Sequence, residues 1–246
     1  MKLLCDDAFA PITSEIGFLE TDLATAVGVF IRWQTGIMEP LGVRLAERPI
    51  TGSLSEAFRA LLPLTGPRPR RFLFLPTTTT WLSIFDNSSS GTDAFSVPSY
   101  LASQIGCRAL RVGAVPNTMG WGANRGRYGA LAFELFGPGG GPLGHIRSIT
   151  LINDGGEWVF EQYGTPLPFE HTEKYGLPNI ADRFSFDDLR EYAINLGLRP
   201  FEEQFYCPEG ARLVELSGAK PKGTREYTLA EVRESFQASP ARDRRS

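Results

Sequence analysis

Apolar side chains return at three- and four-residue intervals through Leu23, Ala26, Val27, Phe30, Trp33 and Ile37, the spacing of one face of a helix that opens at Thr21 or Asp22. Gly28 lies inside this stretch and costs about 1 kcal/mol of helix propensity, which so wide an apolar stripe tolerates. Ser53 and Glu56 stand at capping-box spacing and predict a second helix through Leu62, ended by Pro63. A third is expected from Ser96 and Pro98 to Gly106. The fourth is SFDDLREYAINLG, with Ser185 as cap, Asp187 and Asp188 in the electropositive first turn, and Gly197 with Pro200 as the stop.

Between these helices the period changes. RFLFLP and WLSIF are short apolar or alternating runs joined by the turn-prone PTTTT, and they read as paired strands. CRALRVGAV and YGALAFELF continue the strand pattern, the latter alternating through Leu131, Phe133 and Leu135. GVRLAERPI and ARLVEL are further candidates, the latter closing the sheet. Residues 143–153 fit two descriptions: Asp154-Gly155 signals a hairpin, while Leu143, Ile146 and Ile149 also suit a helix capped at Gly155. EWVFEQ is a strand on either. Hairpins without regular β-α-β alternation predict an α+β fold, a largely antiparallel sheet with packed helices in a single domain over 1–216. From SGAKPKGTREYT onward the chain turns polar, so 217–246 is expected as a flexible C-terminal tail, with one short helix where Thr228 and Glu231 form a capping box.

Composition narrows the function classes. The chain has 246 residues, 42% of them hydrophobic and 22% charged, with a formal net charge of −3, so no global field recruits nucleic acid or an anionic membrane. GPRPRR is only a short basic linker. Three cysteines, Cys5, Cys107 and Cys207, are far apart and odd in number, which points to a reducing, cytoplasmic setting. No stretch has the ~20 apolar residues of a membrane helix, and the charged start MKLLCDD does not read as a signal peptide.

Candidate chemistry concentrates in DNSSSGTD. Counted from Asp86, a calcium loop finds oxygens at Ser88 and Ser90 and the glycine at Gly91, but its twelfth position is Val97, which has no side-chain oxygen. A looser oxygen cage from Asp86, Asn87 and Asp93 competes with a turn in which these side chains bond the backbone and Asp93 stands near a helix start. GWGANRGRYG lacks the strand-before, helix-after context of a dinucleotide fingerprint, and no P-loop occurs. Trp121 between glycines, with Arg125 and Arg127 nearby, makes that loop a binding candidate. His145 and His171 have no metal-ligand spacing, no nucleophile elbow is present, and no metal or cofactor is expected. Carboxylates are plentiful, which keeps an acid/base hydrolase in play.

Four segments carry a resemblance. Trp81 to Asp93 has W-x-x-x-F-D-N followed by G-T-D, and Asn153 to Phe160 has N-D-G-G-x-W-x-F. Gly164 to Glu170 has G-x-P-x-P-F-E, and Leu189 to Phe201 has L-x-x-Y-x-x-x-L-G-x-x-P-F. Together they resemble a group of uncharacterised bacterial proteins similar to the immunity-type proteins kept beside polymorphic toxins. Ser88 departs from the glycine expected after Asp-Asn, which bears on the shape of that turn. The resemblance implies a binding protein and assigns no catalytic residue.

The expectation is thus a cofactor-free protein that binds another protein, a toxin where the resemblance is followed, through Asp86, Asn87, Asp93, Trp121 and Arg125. Nucleic acid and membrane are not expected partners, and sequence leaves the oligomeric state open. Two alternatives stand beside it: a carboxylate-based hydrolase, with or without a metal's assistance, using Asp86 and Asp93, and a structural subunit of a larger assembly.

Overall fold

Nine antiparallel strands form one sheet in the computed structural model, which describes residues 1–119 and 126–238. In chain order they are β1 (Glu15–Leu19), β2 (Val43–Pro49), β4 (Arg71–Pro76), β5 (Leu82–Asp86), β6 (Ala109–Val115), β7 (Ala130–Phe136), β8 (His145–Asp154), β9 (Glu157–Tyr163) and β10 (Arg212–Gly218). Across the sheet they run β2-β10-β4-β5-β1-β6-β7-β8-β9. A small second sheet pairs β3 (Leu64–Gly66) with β11 (Arg225–Tyr227). Five α-helices are present among the described residues: α1 (Leu23–Met38), α2 (Leu54–Arg59), α3 (Ser96–Ile105), α4 (Phe186–Asn195) and α5 (Leu229–Ala238).

Strand alternation divides the core in two. Phe72, Phe74, Ile84, Ala109 and Val214 face α1 and α3. Leu73, Phe85, Leu110, Phe133 and Leu213 face the opposite way, toward α2, α4 and the irregular chain around Phe184 and Phe205. The α+β architecture with a largely antiparallel sheet, in one compact body, is therefore the one the hydropathy pattern predicts.

Helix starts follow their caps. Asp22 accepts the Thr25 N–H at 2.9 Å, and Ser53/Glu56 and Ser185/Asp188 each form a reciprocal capping box. α2 stops at Arg59, earlier than Leu62, because Leu61 and Leu62 donate to carbonyls three residues back and tighten the last turn before Pro63. The 143–153 ambiguity resolves as a hairpin, β8 to β9, whose two left-handed central residues are Gly155 and Gly156.

Strand β10 lies between β2 and β4 rather than at an edge. β1, absent from the sequence expectation, occupies the middle of the sheet. Gly17 in β1 explains how α3 comes so close, since a Cβ there would lie 2.4 Å from Pro98 Cγ. Residues 217–238, polar by composition, contribute the last residues of β10, β11 against β3, and α5, whose Val232 is buried in the core. Among the described residues no helix is long and apolar enough to cross a membrane.

Candidate functional site

Antiparallel order sends alternate strands in opposite directions, so one end of the sheet collects the starts of β4, β1 and β7 and the ends of β5, β6 and β8. An open cleft of about 870 Å³ runs across these six adjacent strand ends. Arg68, Ser90, Asp93, Arg127, Tyr128 and Asp154 contribute to its walls, Ser90 with Asp93 and Arg127 with Tyr128 sharing a connection and the other two standing on separate ones. The walls are braced. Glu15 takes a bidentate pair from Arg111 at 2.7 and 2.9 Å, and Arg111 reaches on to Glu134 at 2.7 Å. Arg127 binds Asp7 at 2.9 Å and the Ser14 hydroxyl at 2.8 Å.

The 86–93 loop forms the middle of this rim, and its three candidate side chains point to separate tasks. Buried Asp86 accepts the backbone N–H of Ser88 and that of Asp93, both at 2.8 Å, which closes the loop on itself. Burial pushes its carboxyl up to about 7 against the pull of those two N–H groups, and the charges of Asp93 and Glu15 add to the rise. Asn87 looks the other way: its Oδ1 accepts from the Arg70 and Arg71 amides at 2.7 and 2.9 Å, and its Nδ2 donates to the Pro63 carbonyl at 2.8 Å. Asp93 Oδ1 accepts the amides of Phe95 and Ser96 at 3.2 and 2.7 Å and so caps α3, where Phe95 itself supplies no side-chain cap.

The three side chains are thus not brought together as an oxygen cage. Asp86 is internal, while Asp93 alone of the three lines the cleft. Ser88, the departure from the resembling pattern, keeps a negative φ and its hydroxyl meets that of Ser90 at 2.8 Å, so this turn does not need glycine there. Gly91 does carry the left-handed conformation, at φ +103°, beside the Pro11 carbonyl. Trp121 and Arg125 lie outside the described residues.

Two features had no clear signal in the sequence. Cys5, Asp6 and Asp7 are consecutive non-glycine residues at φ 51°, 50° and 63°. A left-handed conformation costs about 1–2 kcal/mol per such residue, and this one delivers Asp7 to Arg127 at the cleft. A second polar cluster lies under β8. Fully buried Arg147 pairs with fully buried Glu170 at 2.6 Å, donates to Gln162 and to two carbonyls, and Tyr175 adds a hydroxyl to Glu170 at 2.7 Å.

Beside this cluster, His171 Nδ1 meets Asp188 at 2.8 Å and Lys174 meets the same oxygen at 2.6 Å. The bond to Asp188 raises the His171 pKa above its ordinary value, with Glu191 contributing. Burial alone would raise Asp188, but Lys174, Ser185 and His171 together hold it down at about 2. Nε2 of His171 faces Glu191 at 3.4 Å, so the histidine is bracketed by acids on both sides. The G-x-P-x-P-F-E stretch supplies Glu170, but periodicity has no means of identifying a buried ion pair formed across elements.

Among the described residues no group of three or more His, Cys, Asp or Glu side chains is placed to hold a metal ion. Fold and cleft define an α+β protein with an open, mixed-charge groove across its strand ends. No family model matches the chain, and neither does any curated protein or solved structure.

Proposed function

We propose that the protein is a non-enzymatic binding protein that receives a segment of another protein in the cleft at the strand ends, in the manner of an immunity-type protein covering a toxin. One observation carries this reading: six adjacent strand ends present hydroxyls and both signs of charge along one open groove whose walls are already cross-braced. Preorganised groups of mixed sign favour a specific polypeptide surface over a small apolar ligand, because ordering costs are met before binding. Asp86 and Asn87 serve here by holding the loop, while Asp93, Arg127 and Asp154 face the partner. The three free thiols, Cys5, Cys107 and Cys207, agree with a cytoplasmic setting.

The test is affinity purification of the full chain from its native host beside Ser90→Arg and Asp154→Arg, both at exposed cleft positions. A single protein recovered at equal stoichiometry with the wild type, and lost with both variants, is the expected result. Equal recovery with all three chains removes the cleft from the proposal.

A second reading, a subunit of an assembly, is favoured by one face of the β8–β9 hairpin. Ile152, Val159 and Tyr163 share that face and are 44%, 43% and 51% exposed. Light scattering of the wild type and Val159→Lys distinguishes it, since an assembly formed through this face dissociates in the variant.

A further inference from the structure

We propose that a second cavity, at the same end of the sheet beneath the C-terminus of α1, binds a single-chain amphiphilic anion, an alkyl carboxylate whose hydrocarbon enters the cavity and whose head meets Arg68 and Arg70. This does not depend on the protein-binding reading. The cavity measures about 300 Å³ and lies where β2 begins, β10 ends and the chain enters β4. That volume is at the small end of the range for ligand pockets.

Its body is hydrocarbon: Met38, Leu41, Val43, Leu216, Ala219 and Pro221. Leu41 stands at 60% exposure, an apolar side chain left open to water at the opening of an apolar cavity. Every charged side chain in the lining is a cation: Arg68, Arg70 and Lys220. Lys220 is neutralised by Glu226 at 2.7 Å. Glu226 is held below the usual carboxylate range mainly by that lysine, with Arg71 and Arg70 contributing less.

The two arginines are different. Arg70 is buried, yet its guanidinium is held only by carbonyls, Leu216 O at 2.7 Å and Ala219 O at 3.2 Å, with no carboxylate at ion-pair distance among the described residues. Carbonyls satisfy N–H groups but leave the charge uncompensated, and a buried charge without a counter-ion is costly. Arg68 is exposed and its side chain has no ion pair among the described residues. An apolar slot lined by two guanidinium groups that have no ion pair among the described residues is complementary to a hydrocarbon chain carrying one negative head. A neutral alcohol would leave the cations as they are, and an amine would be repelled.

The probes are hexanoate, octanoate and decanoate, with octanol and octylamine as neutral and cationic comparators, titrated calorimetrically into the full-length protein below their aggregation concentrations. Saturable binding of one carboxylate per chain is expected, strengthening about fourfold per added methylene until the cavity is filled and then levelling off. Octanoate should exceed octanol by roughly fivefold or more, and Arg68→Glu should weaken it by roughly tenfold. Leu41→Asp, at an exposed position that leaves the core untouched, should abolish binding, and Arg199→Glu, which lines none of the cavities described, should leave it unchanged.

Three results overturn the proposal: no saturable carboxylate binding, equal binding of octanol and octanoate, or undiminished binding in both Arg68→Glu and Leu41→Asp. None of these outcomes bears on protein capture through Ser90 and Asp154, so failure here and failure of the binding-protein reading are separate observations.

Discussion

Replacing Asp86 by asparagine, a change of nearly equal volume at a buried position, tests whether burial or hydrogen bonding governs the rim of the cleft. Each carboxylate oxygen accepts one backbone N–H at 2.8 Å. An amide keeps a single acceptor, so its NH₂ faces one of those N–H groups, and a buried donor left without an acceptor costs roughly 1–3 kcal/mol. The pH dependence supplies a second, independent magnitude. With its carboxyl raised from the ordinary 3.8 to about 7, Asp86 holds its proton more tightly in the folded chain than in the unfolded one. Its contribution to stability is therefore complete below pH 3.8 and is lost as pH rises through about 7.

Between about pH 5 and about pH 8 the wild type should lose roughly 3 kcal/mol more than the asparagine variant, whose side chain does not titrate. Urea unfolding followed by tryptophan fluorescence at the two pH values measures both quantities. A difference between the two proteins that is flat with pH, or that grows in favour of the wild type as pH rises, refutes the dominance of burial. It would mean that the Ser88 and Asp93 amides keep the carboxylate ionised.

Other perturbations follow from the same bonds. Asn87→Ala strands two amides and a carbonyl at the start of β4 and should destabilise by about 2–4 kcal/mol in urea. Glu170→Gln leaves Arg147 buried without its counter-charge, an expected loss of about 3–5 kcal/mol by the same assay. Asp188, held at about 2, contributes stability that is present above its ordinary 3.8 and lost as pH falls through about 2, so an acid titration by circular dichroism should flatten in Asp188→Asn. Gly17→Ala forces a Cβ against Pro98 and should cost roughly 1–3 kcal/mol with a lowered melting temperature.

Local signals were the readable ones. Ser53 with Glu56, Ser185 with Asp188, and Gly106 act within a few residues of themselves, so caps and helix ends could be placed from the chain alone. The alternation through Leu131, Phe133 and Leu135 likewise marks a strand whatever it pairs with. β1 escaped because its five residues contain Gly17 and lie immediately before a helix cap, leaving too short a run for any period. Its central position comes from pairing with β5 and β6, which are distant in the chain.

The same limit applies to the site. Asp86, Asn87 and Asp93 were recognisable as turn-forming residues, and their separation in space came only from the tertiary partners at Arg70, Pro63 and the start of α3. Arg68 looked like part of a linker. Its significance depends on Met38, Leu41 and Leu216 meeting beside it, from two remote stretches of chain.

Strand β9 ends the sheet, and no described strand pairs along its outer side. An unpaired margin of this kind invites ribbons of identical chains. Glu157 and Glu161 stand along it, both exposed, and neither forms an ion pair among the described residues. Two molecules meeting margin to margin would set carboxylate against carboxylate, so the hairpin carries its own guard against fibre growth. Exchanging both acids for valine would remove that guard while leaving every buried contact in place.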